Sequence, residues 1–320
     1  MSVAGIRIID ATLREGVQTP GVSFSVDDSV LIALALENLR VDMIECGHAA
    51  IGEEERRRIA AVAAAVETPV LAHARAEVED VRAVAAAGAA WVGVFVGVNA
   101  LSHATRLSAR ISDRLPDHIS ASVSEAKAAG LSVRFTVEDA SRTTDQELVD
   151  AYALAAEAGA DRICFADTVG VARPAEIARV AGMLKASLPD TPLELHLHDD
   201  RGLALAAALA GAEAGADWIA TTVNGIGERC GIVDTLQLLI NLRLESGTRD
   251  FPDGGAIAAA RDLVAAATGL PVAAQRACTG AYAFTHTSRL HAKAVRKNRR
   301  AYEAIDPEWS AGRFEVSAAG

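Results

Sequence analysis

Eight short apolar segments alternate with alanine-rich segments of helical character between Ile6 and Thr222. This alternation is typical of repeated βα units, in which each strand of a parallel sheet is followed by a helix. The predicted strands are Ile6–Asp10, Asp42–Cys46, Pro69–Ala74, Trp91–Val96, Leu131–Val137, Arg162–Ala166, Leu193–Leu197 and Trp218–Thr222. Eight such units predict an α/β fold of the TIM (β/α)8 barrel type, although a doubly wound open sheet produces a similar alternation.

A degenerate repeat supports this count of strands. Three segments place a glycine where a predicted helix ends and the next strand begins, namely Ala86–Trp91, Glu157–Arg162 and Glu213–Trp218. A (β/α)8 barrel takes about 250 residues, and the chain has 320. We therefore predict a catalytic barrel over residues 1–250 and a helical lid subdomain over residues 251–320.

The composition argues against two classes of partner. A net charge of −11 and an aromatic content of 4% do not suit a nucleic-acid-binding protein, which needs basic and stacking surfaces. No apolar segment approaches the roughly 20 residues of a membrane span, and the first residues lack the features of a signal peptide. The four cysteines are scattered along the chain, as expected of reduced thiols. These features predict a cytoplasmic protein.

The segment Leu193–Gly202 contains the pattern most indicative of chemistry. Side chains two residues apart on a strand point to the same face, so His196 and His198 project together at the end of the seventh predicted strand. Two imidazoles at this spacing can bind one divalent metal ion when a carboxylate joins them from elsewhere in the fold. The alternative interpretation is a strand with two hydrogen-bonded histidines and no metal, because the motif is short.

The fifth predicted strand also carries polar residues on one face. Arg134, Thr136 and Glu138 alternate with apolar residues, so all three point to the same side of the sheet. Burial of such side chains is costly, which favours a substrate-binding wall at the barrel mouth. A layer of internal salt bridges would produce the same pattern. Further polar residues lie at or just beyond the ends of the other predicted strands, among them Asp10, Arg14, Glu15, Gln18, Glu45, His48, His73, Asp167, Thr168, Asn224 and Glu228.

Six motifs follow one another along the chain, namely Thr12–Gln18, Glu138–Asp139, Asp167–Gly170, His196–Asp200, Asn224–Arg229, and Phe284–His286 with His291. Together they resemble the motifs of the metal-dependent acyl-CoA Claisen enzymes. This family comprises the isopropylmalate, citramalate and homocitrate synthases, with hydroxymethylglutaryl-CoA lyase as a relative. The resemblance covers roughly residues 6–309, and several motifs in one order are more specific than any single motif.

The resemblance implies the identity of the metal ligands. It makes Glu15 the third ligand beside His196 and His198, a choice that strand geometry alone leaves open between Glu15 and Asp10. The implied ion is divalent, and magnesium, manganese, zinc or cobalt would suit these ligands. Three protein ligands leave open positions, at which the ketone and carboxylate oxygens of a 2-oxo acid can bind.

The resemblance also implies roles for five further residues. Arg14 would stabilise the alkoxide that develops at the ketone oxygen, and Gln18 and Thr168 would bind the substrate. Glu138 and His291 would act together as the base that removes a proton from the acetyl group of the co-substrate, acetyl-CoA. In the family, the segment that contains His291 reaches over the active site of a partner subunit. We therefore expect a homodimer with exchanged lids.

Details of the motifs resemble the lysine-pathway homocitrate synthases. Glu15 stands where most isopropylmalate and citramalate synthases have aspartate, and Gly231 is followed by isoleucine where they have asparagine. In the homocitrate subgroup, the positions of His73, Arg134 and Thr136 hold the distal carboxylate of 2-oxoglutarate. We therefore expect a condensation of acetyl-CoA with a dianionic 2-oxo acid, most simply 2-oxoglutarate to homocitrate. Oxaloacetate, phosphonopyruvate, pyruvate and 2-oxoisovalerate are the alternative acids.

Three other functions stay open at this point. Cys230 lies close to the position of the cysteine that hydroxymethylglutaryl-CoA lyase uses in carbon–carbon bond cleavage. Two histidines and a carboxylate also describe iron(II) oxygenases, although these enzymes generally use a β-rich scaffold. The third alternative is a barrel without catalytic activity, which the presence of the complete ligand set disfavours.

Residues 289–300 contain six basic side chains in a chain that is acidic overall. A solvated helix face accounts for such a cluster, and so does a contact with a polyphosphate such as the tail of coenzyme A. The sequence ends at Gly320, so we expect no feedback inhibition through the regulatory domain that many relatives carry.

Overall fold

The computed structural model describes residues 5–246 and 251–316, and its main element is a closed barrel of eight parallel strands in sequence order. Each strand pairs with the next, and the last strand pairs with the first. The barrel strands are β1 (Arg7–Asp10), β2 (Met43–His48), β3 (Val70–Arg75), β4 (Trp91–Gly97), β5 (Ser132–Glu138), β6 (Arg162–Asp167), β7 (Leu193–Leu197) and β8 (Trp218–Thr221). This architecture confirms the predicted TIM (β/α)8 barrel, and its closure excludes the open sheet.

Helices connect consecutive strands and surround the barrel. They are α1 (Val26–Asn38), α2 (Glu53–Ala65), α3 (Val78–Ala87), α4 (Ala100–Thr105), α5 (Ala109–Ser112), α6 (Leu115–Ala128), α7 (Asp145–Glu157), α8 (Pro174–Ser187), α9 (Ala204–Glu213) and α10 (Thr235–Ser246). The starts of α1 and α7 are fixed by capping boxes, in which Ser25 pairs with Asp28 and Thr144 pairs with Glu147. Each box satisfies backbone N–H groups that the first helical turn leaves free.

All eight predicted strands are present, and they differ from the prediction only at their ends. The largest difference is in β2, which continues for two residues beyond its predicted end at Cys46. A pairing irregularity between Glu45 and His48 allows β2 to follow β3 to the rim of the barrel. The irregularity therefore places His48 beside His73 of β3.

The two faces of the barrel strands bury different kinds of side chain. Outward-facing residues such as Ile44, Val92, Phe135 and Leu195 belong to one large apolar core between the sheet and the helices. Inside the barrel there is a second, small apolar cluster, formed by Ile9, Met43, Leu71, Trp218 and Ala220. The remaining buried interior is largely polar and includes Arg134, Thr136, Arg162, Glu194 and His196.

Arginine and tryptophan side chains close the amino-terminal end of the barrel. The guanidinium of Arg162 lies 4.1 Å from the ring centroid of Trp218 and 4.8 Å from that of Trp91. Arg7 lies 4.6 Å from the Trp218 ring. Cation–π contacts of this kind stabilise a guanidinium that has been removed from water. Because this end is packed, the opening of the barrel lies at the other end, where the strands finish.

The residues after the barrel form α11 (Gly254–Thr268), β9 (Thr285–His286), α12 (Arg289–Val295) and β10 (Glu315–Val316). Helix α11 packs against α1 on the outside of the barrel. Strands β9 and β10 pair with each other and form a small sheet that is separate from the barrel, which the sequence analysis did not predict. Within the described residues, no helix has the length and apolar character needed to cross a membrane.

Candidate active site

A cavity of about 450 Å³ opens at the carboxyl ends of the barrel strands, where active sites of this fold are found. Most of the predicted site residues share this cavity. Those that line it are Arg14, Glu15, Gln18, His73, Arg134, Thr136, Glu138, Thr168, His196 and His198. The structure thus brings together every predicted residue except His291.

Glu15, His196 and His198 form a compact group of metal-binding side chains. Their ligand atoms all lie within 4.8 Å of one another, and all three side chains are buried. The two imidazole rings are 5.2 Å apart at their centroids, and Nε2 of His196 lies 3.8 Å from Oε2 of Glu15. Two imidazoles and one carboxylate are a donor set that binds divalent cations. The three residues therefore fit the implied metal ion.

The electrostatic surroundings keep both imidazoles of this group neutral. Burial and the nearby Arg14 guanidinium lower the pKa of His196 well below its usual value. Burial also lowers the pKa of His198. A neutral imidazole has a free lone pair, which is the form that binds a metal ion. At neutral pH the two histidines would therefore bind a cation without first losing a proton.

The loop after β8 positions the carboxylate of Glu15. The backbone N–H of Glu228 donates to Oε1 of Glu15 at 2.9 Å, and Nη1 of Arg14 donates to Oε2 at 2.5 Å. Gly227 has a φ of +155°, and a Cβ atom at this position would lie 3.0 Å from the Glu15 side chain. Glycine is therefore required for the loop to approach the carboxylate so closely.

Asp10, the other carboxylate that strand geometry allowed as a ligand, lies outside the cluster. It accepts hydrogen bonds from the backbone N–H of Thr12 at 2.8 Å and from the hydroxyl of Thr235 at 2.5 Å. Complete burial raises the pKa of Asp10 to about 6. Asp10 thus joins the end of β1 to the start of α10, and Glu15 is the carboxylate beside the histidines.

Asp10 is expected to make stability depend on pH. Its pKa of about 6 in the folded protein is higher than its usual value of 3.8, so the folded state binds this proton more tightly than the unfolded state. Its contribution to stability is therefore largest below pH 3.8 and is lost as the pH rises through 6. Relative to Asp10→Asn, the wild type should lose about 3 kcal/mol of unfolding free energy across this window. Urea unfolding at a series of pH values measures the difference, and a constant difference would contradict the assignment.

Three acidic and three basic side chains alternate in a continuous chain of salt bridges from the cavity to the amino-terminal end of the barrel. Consecutive members lie within 3.0 Å of each other. In spatial order this interior ion chain consists of Glu15, Arg14, Glu45, Arg134, Glu194 and Arg162. The structure therefore contains the internal salt bridges that the sequence analysis gave as the alternative for the fifth strand.

The interior ion chain contains three residues that were not predicted for the site, Glu45, Glu194 and Arg162. Burial would raise the pKa of Glu45, but Arg134, Arg14 and His73 lower it well below its usual value. Likewise, burial opposes the charge of Arg134, and the carboxylates of Glu194 and Glu45 raise its pKa. Glu194 could have been found from the sequence, because it stands two residues before His196 and shares its face of β7.

The wall opposite the metal-binding group is formed by His73 and its neighbours. Nη2 of Arg134 donates to Nε2 of His73 at 2.8 Å, and the His73 ring stacks on Phe95 at 4.8 Å. Burial and Arg14 lower the pKa of His73 well below its usual value, so this imidazole is neutral. The same Nε2 lies 3.1 Å from Oε1 of Glu45, so His73 contacts two members of the interior ion chain. The hydroxyl of Thr136, on the same wall, is buried without a hydrogen-bond partner in the described part of the chain.

Residues at the rim of the cavity are more exposed. The side chain of Glu138 is 30% exposed and lies 3.5 Å from Arg106. The hydroxyl of Thr168 accepts a hydrogen bond from the backbone N–H of Asp139 at 2.8 Å. Gln18 is exposed. These side chains can therefore meet a ligand that enters from solvent.

His291 is the one predicted site residue that does not line the cavity. It lies on α12, where its ring stacks on Tyr302 at 3.8 Å. Within the described residues of a single chain, no contact joins His291 to Glu138. A shared role of these two residues would therefore require α12 from a second copy of the chain.

The fold and the site define a class of protein, a (β/α)8 barrel with a buried group of two histidines and one carboxylate at the carboxyl ends of its strands. The sequence matches the family described as HMGL-like over residues 5–264. Residues 278–317 match a second family, described as homocitrate synthase post-HMGL domain-like. The chain belongs to the HMGL-like family.

Curated homocitrate synthases are similar to this chain over most of its length. The enzyme of Saccharolobus islandicus (strain L.S.2.15 / Lassen #1) is 37% identical over 308 residues, and that of Sulfolobus acidocaldarius is 37% identical over 313 residues. Both matches cover 95% of this chain, but only 66% and 65% of the respective relatives. The chain thus spans just under two thirds of the length of the proteins it matches.

Solved structures with the same fold include lyases. The hydroxymethylglutaryl-CoA lyase of Pseudomonas aeruginosa superposes with a TM-score of 0.73 at 19% identity, over 85% of this chain and 96% of that chain. The HMG-CoA lyase of Brucella melitensis gives a TM-score of 0.70 at 22% identity, over 82% of this chain and 99% of that chain. At these identities the likeness concerns the fold alone.

Proposed function

We propose that the protein condenses acetyl-CoA with a dianionic 2-oxo acid, and that 2-oxoglutarate is the acid and homocitrate the product. The proposed enzyme is an acyltransferase that hydrolyses the thioester after the carbon–carbon bond has formed. The observation that carries the proposal is the metal-binding group of Glu15, His196 and His198 in one cavity with Arg14 and Arg134. The similarity to curated homocitrate synthases supports the choice of acid.

The residues around the metal-binding group are arranged for chemistry at a ketone. A divalent cation bound by Glu15, His196 and His198 would polarise the ketone of the 2-oxo acid. Arg14 is fixed beside these ligands by Glu15 at 2.5 Å and by Glu45 at 2.6 Å. A guanidinium held in place can stabilise the negative charge that develops on the ketone oxygen without reorganising first.

We assign Thr168 to the carboxylate next to the ketone. Its hydroxyl oxygen already accepts the backbone N–H of Asp139, so the hydroxyl proton is free to donate. A carboxylate at the rim can accept this proton in a hydrogen bond. Gln18 lines the same cavity, and its amide offers two further donors.

The charges of the interior ion chain favour a substrate with two negative charges. Its three arginines and three carboxylates balance one another. A divalent cation would add two positive charges to this buried region, and a dianionic acid would neutralise them. A monocarboxylic acid such as pyruvate would leave one positive charge uncompensated, which is costly in a buried site.

We assign the proton abstraction from acetyl-CoA to Glu138 and to His291 of a second copy. Glu138 is half-buried at the rim, where a side chain from another molecule can reach it. The guanidinium of Arg106, 3.5 Å from the Glu138 carboxylate, partly compensates the negative charge of this side chain. The active form would accordingly be a homodimer in which each α12 covers the cavity of the other chain.

Coenzyme A release from acetyl-CoA is expected to be fastest with 2-oxoglutarate in a panel that includes oxaloacetate, phosphonopyruvate, pyruvate and 2-oxoisovalerate. The measurement is thiol release in the presence of Mn²⁺ or Mg²⁺, with product identification. Faster turnover of pyruvate or 2-oxoisovalerate would contradict the dianionic substrate. Cleavage of hydroxymethylglutaryl-CoA without any condensation would instead identify the protein as a lyase. This is the alternative that the sequence analysis linked to Cys230, which is exposed.

A further inference from the structure

Six basic side chains follow β9, and five of them form a surface of unpaired positive charge. Residues 287–302 contain these six arginines and lysines and no aspartate or glutamate. Arg299 forms an ion pair with Glu303 at 3.0 Å. The other five side chains are exposed, and no ion pair joins them to any described residue. We call these five the cationic stripe, which consists of Arg289, Lys293, Arg296, Lys297 and Arg300.

The stripe lies along one face of α12 and the turn that follows it. Arg289, Lys293 and Arg296 are spaced by four and three residues, which places them on the same side of a helix. Ala292 and Val295 of the same helix are buried, so α12 is packed against the rest of the protein. Seven residues of α-helix rise by about 10 Å. The stripe is thus an extended row of charges held on a packed helix.

Three other arginines with exposed side chains are paired with carboxylates. Near the start of α8, Arg142 pairs with Asp139 at 2.7 Å, Arg173 with Glu176 at 2.8 Å and Arg179 with Asp145 at 2.7 Å. A protein of net charge −11 offers many carboxylates with which a surface cation can pair. A row of five cations without such partners is therefore unusual for this chain, and it fits an anionic ligand.

We propose that the cationic stripe binds the diphosphate and 3′-phosphate groups of coenzyme A. This inference rests on the proposed function, in which acetyl-CoA is a substrate and α12 supplies His291 near its thioester. The diphosphate and the 3′-phosphate of coenzyme A are attached to different carbons of one ribose, so these two anionic groups match a row of charges better than a single pocket. The protein's acidity and low aromatic content disfavour nucleic acid as the ligand.

Calorimetric titration of the Mn²⁺-loaded protein with coenzyme A, dephospho-coenzyme A and pantetheine tests the proposal. The variant Arg296→Gln, Lys297→Gln, Arg300→Gln is expected to raise the Kd of coenzyme A roughly tenfold. Its Kd for pantetheine should not change. In the wild type, the Kd of coenzyme A should be lower than that of dephospho-coenzyme A, and added salt should reduce this difference.

The matched control is Arg57→Gln, Arg110→Gln, Arg114→Gln, which changes the net charge equally at side chains that are 70%, 73% and 70% exposed. This control should leave the Kd of coenzyme A unchanged. If the wild type and the stripe variant bound coenzyme A with the same Kd, the cationic stripe would not be its binding site, while the proposed function would still stand. Absence of coenzyme A binding to the wild type would overturn the proposed function as well. A changed sedimentation coefficient with an unchanged Kd would assign the stripe to a subunit contact and overturn the proposal.

Discussion

Replacement of Glu15 by glutamine is expected to lower kcat by roughly a thousandfold and to abolish tight binding of Mn²⁺. Glutamine keeps the size of the side chain but removes its negative charge. The two imidazoles are neutral, so the ligand set would then carry no charge to attract a divalent cation. The change also leaves Arg14 with Glu45 as its remaining carboxylate partner. Electron paramagnetic resonance of free Mn²⁺ measures binding independently of turnover.

Asp10→Asn is the matched control for this experiment. It makes the same chemical change five residues earlier, at a buried carboxylate that hydrogen-bonds Thr12 and Thr235 rather than facing the histidines. We expect this variant to bind Mn²⁺ as the wild type does. If Asp10→Asn lost the ion while Glu15→Gln retained it, the choice of Glu15 as the third ligand would be wrong.

The barrel could be predicted from the sequence because strand and helix periods alternate over its whole length. Strand β7 has the predicted bounds, since Leu193 to Leu197 alternates apolar and polar residues before a polar turn. The end of β2 could not be predicted, because the irregularity between Glu45 and His48 depends on pairing with β3. Such a register change is a property of two strands and leaves no clear signal in one of them.

The site could be predicted only in part, for a related reason. Strand alternation identifies His196 and His198 as neighbours, and the structure places them 5.2 Å apart at their ring centroids. Alternation cannot show that Arg134 is already paired with Glu45 and Glu194, because these partners come from two other strands, β2 and β7. The sequence thus indicated which charged residues lie near the site, but it did not indicate which of them form salt bridges with each other.

Replacement of Arg134 by methionine is expected to lower the free energy of unfolding by about 3 kcal/mol, since it leaves one uncompensated negative charge in the interior ion chain. It is also expected to reduce kcat/KM for 2-oxoglutarate much more than for pyruvate, because the distal carboxylate loses the cation beside His73. Chemical unfolding gives the first quantity, and steady-state kinetics with both acids gives the second.

Arg162→Met separates the two effects. Arg162 is as buried as Arg134 and pairs with Glu194 at 3.0 Å, but it lies at the foot of the barrel and does not line the cavity. Its replacement should lower the free energy of unfolding by a similar amount and leave the preference between the two acids unchanged.

The double variant Arg134→Met, Glu194→Gln restores charge balance, so it should regain stability without regaining the preference for 2-oxoglutarate. If all three variants lost activity equally with both acids, Arg134 would stabilise the barrel and would have no part in substrate selection.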